Sequence, residues 1–256
     1  MSAEDDLDPT TVKLRAAGCV AAEEEAAELS AVAGADRARL DELVERRCAG
    51  EPLAWLTGSV RFCGETVLVG HGVYVPRWQS EPLALEAAAR LPERGLAVDL
   101  CTGAGAIAVV LARRRPLARV VASEIDPLAV ACARANGVEV FEGDMAASLP
   151  AALVGRVDVV TAVVPYVPTG ELRLLPRDVI AFEPRHALDG GEDGVRFLQS
   201  AVREAAALLR PGGSLLLELG GDEAELLGPA LADHGYSDVE LLLDKDRELR
   251  GLVGRR

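Results

Sequence analysis

Two glycines stand where an apolar run gives way to a helical pattern. The segment is Val98-Asp99-Leu100-Cys101-Thr102-Gly103-Ala104-Gly105. Glycine permits a tight turn and close approach of the backbone to a ligand, and a helix N-terminus attracts negative groups. Ile107 and Ala108 stand where a GxGxxG dinucleotide motif would place its third glycine, which weakens a prediction of NAD. The segment predicts a nucleotide-like ligand held by Asp99, Thr102, Gly103, Ala104 and Gly105.

Acidic residues follow the next two apolar runs. Glu124 ends the run Val120–Glu124, roughly 20 residues after the glycines, where a carboxylate can accept hydrogen bonds from both ribose hydroxyls. Gly143-Asp144-Met145 follows the third run and suits the amino group and one face of an adenine. This order resembles S-adenosylmethionine-dependent class I methyltransferases. The resemblance implies S-adenosyl-L-methionine as cofactor, S-adenosyl-L-homocysteine as product, and binding by Glu124, Ile125, Gly143, Asp144 and Met145.

The elements that must position these residues alternate in type from Leu96 onward. Short apolar runs alternate with helical patterns, which requires crossover connections and a mostly parallel sheet covered on both faces. The last two runs, 239–243 and 249–253, have hairpin-like spacing. We therefore predict an α/β fold with a Rossmann-like class I methyltransferase sheet of seven strands, mostly parallel, with the last strand antiparallel.

The chain before Leu96 has a different organisation. Residues 10–48 are rich in Ala, Glu and Arg with apolar residues at helical spacing, and Asp8-Pro9 is a typical helix start. Two β-branched runs, Glu65–Val69 and Val73–Val75, are separated by glycines and predict a hairpin. The predicted division is a small N-terminal helical region (1–58), a β-hairpin linker (59–77) and a methyltransferase domain (78–256).

Charge and composition limit the class of partner. The chain has 27 Lys and Arg against 41 Asp and Glu, a net charge of −14, whereas binding a phosphate backbone requires the opposite balance. The five cysteines form no CxxC pair, so neither a metal site nor a disulfide framework is expected. The N-terminus lacks an apolar signal core, and no apolar run approaches about 18 residues. We expect a cytoplasmic protein without metal, nucleic-acid or membrane partners.

Residues 48–256 resemble the HemK/PrmC family of protein-(glutamine-N5) methyltransferases. The motifs that carry the resemblance occur in order: Gly50–Gly58 (GEPLAWLTG), Val75-Pro76-Arg77, Phe182-Glu183-Pro184-Arg185 and Ala187–Gly194. The resemblance implies methylation of a glutamine side chain in a release factor or a ribosomal protein. It also implies substrate recognition by the N-terminal helical region and substrate binding by Arg77 and Glu183.

One motif departs from the family at the end of the fourth run. The family carries Asn-Pro-Pro-Tyr, and this chain has Val163-Val164-Pro165-Tyr166. In the family the Asn pairs with the substrate amide, the next carbonyl accepts an amide N–H, and the Tyr packs on the substrate. The carbonyl of Val164, Pro165 and Tyr166 remain as catalytic and substrate-binding groups. The side chain of Val163 cannot form the hydrogen bond that the Asn makes with the substrate. Losing this bond costs about 1–3 kcal/mol, which predicts slow amide methylation with intact cofactor binding.

A second departure lies at Pro76–Glu81, where the family reads Pro-Arg-Pro-Glu-Thr-Glu and this chain has PRWQSE. Trp78, counted among the substrate-binding residues, is either packing or a stacking wall for a flatter substrate. His71 and His186 are expected to flank the pocket as loop residues rather than as general bases. Three hypotheses stay open: a protein glutamine acceptor, a small-molecule acceptor, or a non-catalytic cofactor-binding interaction module.

Overall fold

The N-terminal helices begin at a capped residue. The computed structural model describes residues 8–256, so residues 1–7 of the predicted helical region lie outside the described residues. Asp8 accepts hydrogen bonds from the backbone N–H groups of Thr10 and Thr11 and caps the first helix. The helices pack around their own apolar core, which includes Leu14, Leu29 and Leu43. They are α1 (Pro9–Ala16), α2 (Ala22–Ala33), α3 (Arg37–Cys48) and α4 (Leu53–Thr57).

An antiparallel hairpin follows, made of β1 (Ser59–Phe62) and β2 (Glu65–Leu68). The prediction that Val73–Val75 forms one of its arms is wrong. Trp55 donates its indole N–H to the Val73 carbonyl at 2.9 Å, and Glu183 accepts the Val75 backbone N–H at 3.2 Å. Side chains therefore satisfy backbone groups that a strand would pair with a neighbour, and this segment is buried without being a strand.

Helices and strands alternate in the rest of the chain, as predicted. In order they are α5 (Glu81–Arg90), β3 (Leu96–Leu100), α6 (Ala106–Arg114), β4 (Arg119–Glu124), α7 (Pro127–Ala135), β5 (Glu139–Glu142), β6 (Val157–Ala162), β7 (Val167–Pro168), α8 (Arg177–Phe182), β8 (Asp189–Gly191), α9 (Arg196–Leu208), β9 (Leu209–Glu218), α10 (Glu223–Asp233), β10 (Ser237–Leu243) and β11 (Leu249–Arg255).

Seven strands form the main sheet in the order β10-β11-β9-β6-β3-β4-β5. β9, β6, β3, β4 and β5 are mutually parallel, and β11 lies antiparallel between β9 and β10. The predicted mostly parallel sheet with an antiparallel last strand is confirmed. The chain runs outward from β3 to β5 and returns to the other side of β3 with β6. Such a reversal opens a crevice at the carboxyl ends of the strands.

The sheet is buried on both faces because its central strands are apolar at consecutive positions. In β9, Leu215 and Leu217 belong to the core that includes Leu198 of α9, whereas Leu216 belongs to the core that includes Leu83 of α5. Alternate residues of a strand point to opposite faces. Helices packed on both faces hold the ends of the strands in place, and the candidate functional residues lie at those ends.

Candidate functional site

A cavity of about 580 Å³ opens at the carboxyl edge of the sheet. Each of four neighbouring strands contributes the residue at or just after its end to the wall: Glu218 from β9, Val163 from β6, Cys101 from β3 and Glu124 from β4. The opposite wall comes from irregular segments and α8, and it includes Tyr74, Arg77, Trp78, Leu175, Pro176, Val179 and His186.

The predicted cofactor residues divide into three groups. Gly103, Glu124 and Ile125 line the cavity. Asp99, Thr102 and Ala104 line a smaller hollow of about 50 Å³ that shares Gly103 with the cavity. The remaining predicted residues, Gly105, Gly143, Asp144 and Met145, lie outside these two walls as the described residues define them.

The two glycines of the turn have different roles in the structure. Gly103 has a φ of +56°, and a Cβ built on it would meet no described atom within 4 Å. Gly105 has a φ of +87°, and its Cβ would lie 2.8 Å from a methyl carbon of Val138 and 3.3 Å from the Cβ of Ala133. Gly105 therefore lets the helix pack closely, whereas Gly103 leaves open space on the cavity side for a ligand.

Glu124 is buried and held in one orientation. Its Oε2 accepts the Gly103 backbone N–H at 2.8 Å, and its Oε1 accepts those of Ile125 and Asp126 at 2.8 and 2.9 Å. An ionised carboxylate has about four acceptor positions, so Oε2 keeps one for a hydroxyl group. A fixed carboxylate beside the open face of Gly103 suits the ribose of S-adenosylmethionine.

Asp99 lies beneath the turn and is fully buried. Thr102 donates its hydroxyl to Asp99 Oδ2 at 2.5 Å, and Thr161 donates its hydroxyl to Oδ1 at 2.6 Å. Burial raises the pKa of Asp99 to about 6. The carboxyl group ties the glycine turn to β6, which joins the turn to the strand carrying the Val163–Tyr166 segment.

The predicted adenine-side residues lie beside Glu124. The Gly143 N–H donates to the Glu124 backbone carbonyl at 2.8 Å. Asp144 is exposed, and Met145 packs into the sheet core with a φ of +46°. Their role towards an adenine stays a prediction.

The structure brings the acceptor motif into the same cavity as Gly103 and Glu124. Val163, Val164, Pro165 and Tyr166 all line its wall. The Tyr166 hydroxyl donates to Glu218 Oε1 at 3.1 Å, and burial raises the pKa of Tyr166. The ring of Tyr166 is therefore anchored through its hydroxyl group.

Arg77 and Trp78 line the cavity. Trp78 is 59% exposed, and the guanidinium carbon of Arg250 lies 5.0 Å from the centre of its ring. Arg77 pairs with Glu183, which is buried behind the wall and also accepts the Val75 N–H. Glu183 thus holds Arg77 in place and does not itself face the cavity.

The two histidines occupy different surroundings. His186 lines the cavity, with Nε2 3.1 Å from Oδ2 of Asp126, which also caps α7 through the Leu128 N–H at 2.8 Å. His71 packs against Trp55, with ring centres 4.5 Å apart, and it is absent from the cavity wall formed by residues 8–256. The expectation that both flank the pocket is therefore correct for His186 alone.

Several residues of the cavity wall are not predicted from the sequence. Glu218 ends the apolar run of β9, the same signal that pointed to Glu124, and it could have been found in that way. Tyr74 and the 175–179 segment carry no such signal because their places depend on how irregular chain packs across the crevice.

Neither a membrane-spanning helix nor a cluster of metal ligands is found within residues 8–256. Within them no helix combines the length and the apolar character needed to cross a membrane. Within the same range, no three His, Cys, Asp or Glu side chains are grouped as metal ligands would be.

Comparison with known proteins identifies relatives. Residues 83–155 match the methyltransferase small domain family. A release factor glutamine methyltransferase from Geobacter sulfurreducens is 37% identical over 221 residues, covering 83% of this chain and 77% of the relative. A 4-amino-L-phenylalanine/4-methylamino-L-phenylalanine methyltransferase from Streptomyces pristinaespiralis is 39% identical over 200 residues, covering 74% and 68%. A methyltransferase structure from Pyrococcus furiosus has a TM-score of 0.55 at 19% identity, covering 91% and 96%.

These relatives confirm the predicted resemblance. The chain is an enzyme, an S-adenosylmethionine-dependent methyltransferase, and the Pyrococcus structure confirms the class of fold. S-adenosylmethionine is its cofactor, in agreement with the open face of Gly103 and the fixed carboxylate of Glu124.

Gly103→Ala tests the open face of the turn. We expect an affinity for S-adenosylmethionine at least about 10-fold lower by isothermal titration calorimetry, because a Cβ would enter the ligand space. Gly155→Ala is the matched control, since Gly155 is exposed, has a φ of +68° and also has no described atom within 4 Å of a Cβ. Both variants incur about 1 kcal/mol of left-handed strain, and equal affinities would contradict the assignment.

Asp99→Asn tests the buried carboxyl group. Its folded pKa, about 6, lies above the ordinary 3.8, so its contribution to stability is present at low pH and is lost as the pH rises through about 6. We expect the unfolding free energy of the wild type, relative to the variant, to fall by about 1 kcal/mol between about pH 5 and 7.5. Urea unfolding at each pH measures this, and a pH-independent difference would contradict it.

Proposed function

The chain belongs to the release factor glutamine methyltransferase family, and we propose that it methylates the side-chain amide nitrogen of a glutamine in a release factor or another protein. The observation that carries the proposal is the common cavity, whose wall holds Gly103 and Glu124 together with Val164, Pro165 and Tyr166. We also propose that the helical region recognises the protein substrate.

Gly103, Glu124 and Ile125 would hold the cofactor at the β3 and β4 ends of the cavity. S-adenosylmethionine, when bound, would supply a methyl group carried on a positively charged sulfur. The methyl group would pass to the acceptor nitrogen, the bonding pair would stay on sulfur, and the N–H proton would pass to solvent. The remaining task of the chain is to hold a weakly nucleophilic amide in line with that methyl group, because alignment supplies much of the rate.

The 163–166 segment performs that alignment. The Val164 carbonyl accepts one amide N–H of the glutamine, Pro165 fixes the turn, and the ring of Tyr166 packs on the side chain of the substrate. Tyr166 can hold this position because its hydroxyl is bonded to Glu218. Preorganised acceptors of this kind stabilise charge that develops on the nitrogen.

Val163→Asn tests the glutamine hypothesis. An amide at this position adds a hydrogen-bond acceptor at the edge of the cavity, so we expect kcat/KM on a peptide containing Gly-Gly-Gln to be preserved or raised by up to about 10-fold. Transfer of labelled methyl to the peptide, located by mass spectrometry, measures it. If neither the wild type nor the variant methylates the peptide or an intact release factor, the glutamine hypothesis is wrong.

A second candidate acceptor is a small aromatic amine. Two observations favour it: the cavity wall includes the exposed side chain of Trp78, and the Streptomyces pristinaespiralis relative is named for amino-phenylalanine substrates. A flat ring stacked on Trp78 would be positioned by that contact and would not need a side-chain acceptor at Val163.

Trp78→Ala separates the two acceptors, with 4-amino-L-phenylalanine as the probe. If the acceptor is aromatic, turnover of this probe falls at least about 10-fold, while the affinity for S-adenosylmethionine changes less than about twofold. Trp78→Phe keeps a ring and should retain most of the turnover. Unchanged turnover in Trp78→Ala would contradict the stacking role.

A further inference from the structure

Glu218 has a carboxylate oxygen that the protein leaves without a partner. Glu218 is 4% exposed, ends β9 and lines the cavity. Its Oε1 accepts the Tyr166 hydroxyl at 3.1 Å, while its Oε2 is buried and has no hydrogen-bond partner among residues 8–256. Buried polar atoms are nearly always paired, so an unpaired oxygen on a residue that lines a ligand cavity requires an explanation.

The nearby cation does not supply that partner. Arg250 is engaged with Asp244, whose Oδ2 accepts its Nε–H at 2.9 Å, and with Glu248, while it also lies over Trp78. Burial raises the pKa of Glu218, whereas the nearby hydroxyls of Ser80 and Tyr166 and the charge of Arg250 lower it. The Ser80 hydroxyl lies close to the carboxyl group but forms no hydrogen bond with Oε2. A donor brought by a ligand would remove the cost of leaving this oxygen buried and unpaired.

The register of the sheet places Glu218 beside the position that lacks a polar side chain. Ala162, the last residue of β6, pairs with Leu217 of β9, and Val163 and Glu218 are the residues that directly follow this pair. Val163 packs with the core cluster that contains Leu216, which lies two residues before Glu218. Neighbours at equal register in parallel strands project to the same side of the sheet. The acceptor oxygen that Val163 cannot offer is therefore available on the next strand.

We propose that Glu218 Oε2 accepts the second N–H of the acceptor amide, while the Val164 carbonyl accepts the first. Glu218 is then a substrate-binding residue that selects acceptors with two N–H groups. A monomethylated product keeps one N–H and loses one of the two hydrogen bonds, so the enzyme stops after one methyl group. This inference rests on the proposed glutamine acceptor.

The test compares the wild type with Glu218→Leu on the Gly-Gly-Gln peptide. We expect kcat/KM to fall about 10- to 100-fold, with the affinity for S-adenosylmethionine within about twofold. Because leucine also leaves the Tyr166 hydroxyl without its acceptor, the melting temperature should fall in this variant and less so in Glu218→Gln, whose amide oxygen can still accept that hydroxyl. Adding Val163→Asn to Glu218→Leu should restore most of the loss, since the amide offers an acceptor at the neighbouring register position. Glu218→Gln serves for the same comparison if the leucine variant does not fold.

Asp158→Asn is the matched control. Asp158 is a largely buried carboxylate near the opposite end of β6, paired with Arg210 of β9 at 2.6 Å, so its loss should leave kcat/KM unchanged. A wild type inactive on the peptide contradicts the proposed function, and this inference with it. If the wild type is active, the inference alone is overturned when Glu218→Leu is equally active or when Val163→Asn fails to restore the lost activity.

Discussion

The strand order β9-β6-β3-β4 places the carboxyl ends of four parallel strands side by side, and the groups of the site are attached to that edge. Because the strands are parallel, the polar residues at their carboxyl ends lie along the same edge of the sheet. The helices on both faces limit the access of water to these residues. Each buried polar group there needs a partner from the protein or from a ligand. This requirement explains which residues support the edge and which are available for binding.

Three carboxyl groups at the edge meet the requirement differently. Asp99 is satisfied by the hydroxyls of Thr102 and Thr161 and therefore supports the structure. Glu124 accepts three backbone N–H groups and keeps one acceptor position. Glu218 has one oxygen bonded to Tyr166 and one left without a partner in the described chain. The two free acceptor positions belong to residues at the ends of β4 and β9, the outer two of the four strands, and we propose the first for the cofactor and the second for the acceptor.

The sequence was sufficient for the fold because apolar runs and helical patterns alternate clearly from Leu96 onward. It also located Gly103 and Glu124, since a strand end followed by glycine or an acid is a local signal. It could not distinguish Gly103 from Gly105, because the difference lies in the contact of Gly105 with Val138. The side chains of Val73–Val75 favour a strand, whereas its backbone groups are paired with the side chains of Trp55 and Glu183.

Glu218 shows a further limit of sequence patterns. Its type and its place at a strand end are visible in the sequence, but the partnerless oxygen depends on Tyr166 taking one side of the carboxylate and on Arg250 being engaged elsewhere. The effect of valine at position 163 also depends on a residue from another strand. Its consequence for the acceptor follows from the neighbour in the sheet register, which no local pattern records.

A crystal structure of the enzyme with S-adenosylhomocysteine and a Gly-Gly-Gln peptide tests the central claim most directly. We expect the cofactor product beside Gly103 and Glu124, with the glutamine nitrogen within hydrogen-bond distance of both the Val164 carbonyl and Glu218 Oε2. A glutamine side chain bound outside the cavity, or an amide that leaves Glu218 Oε2 unpaired, would contradict it.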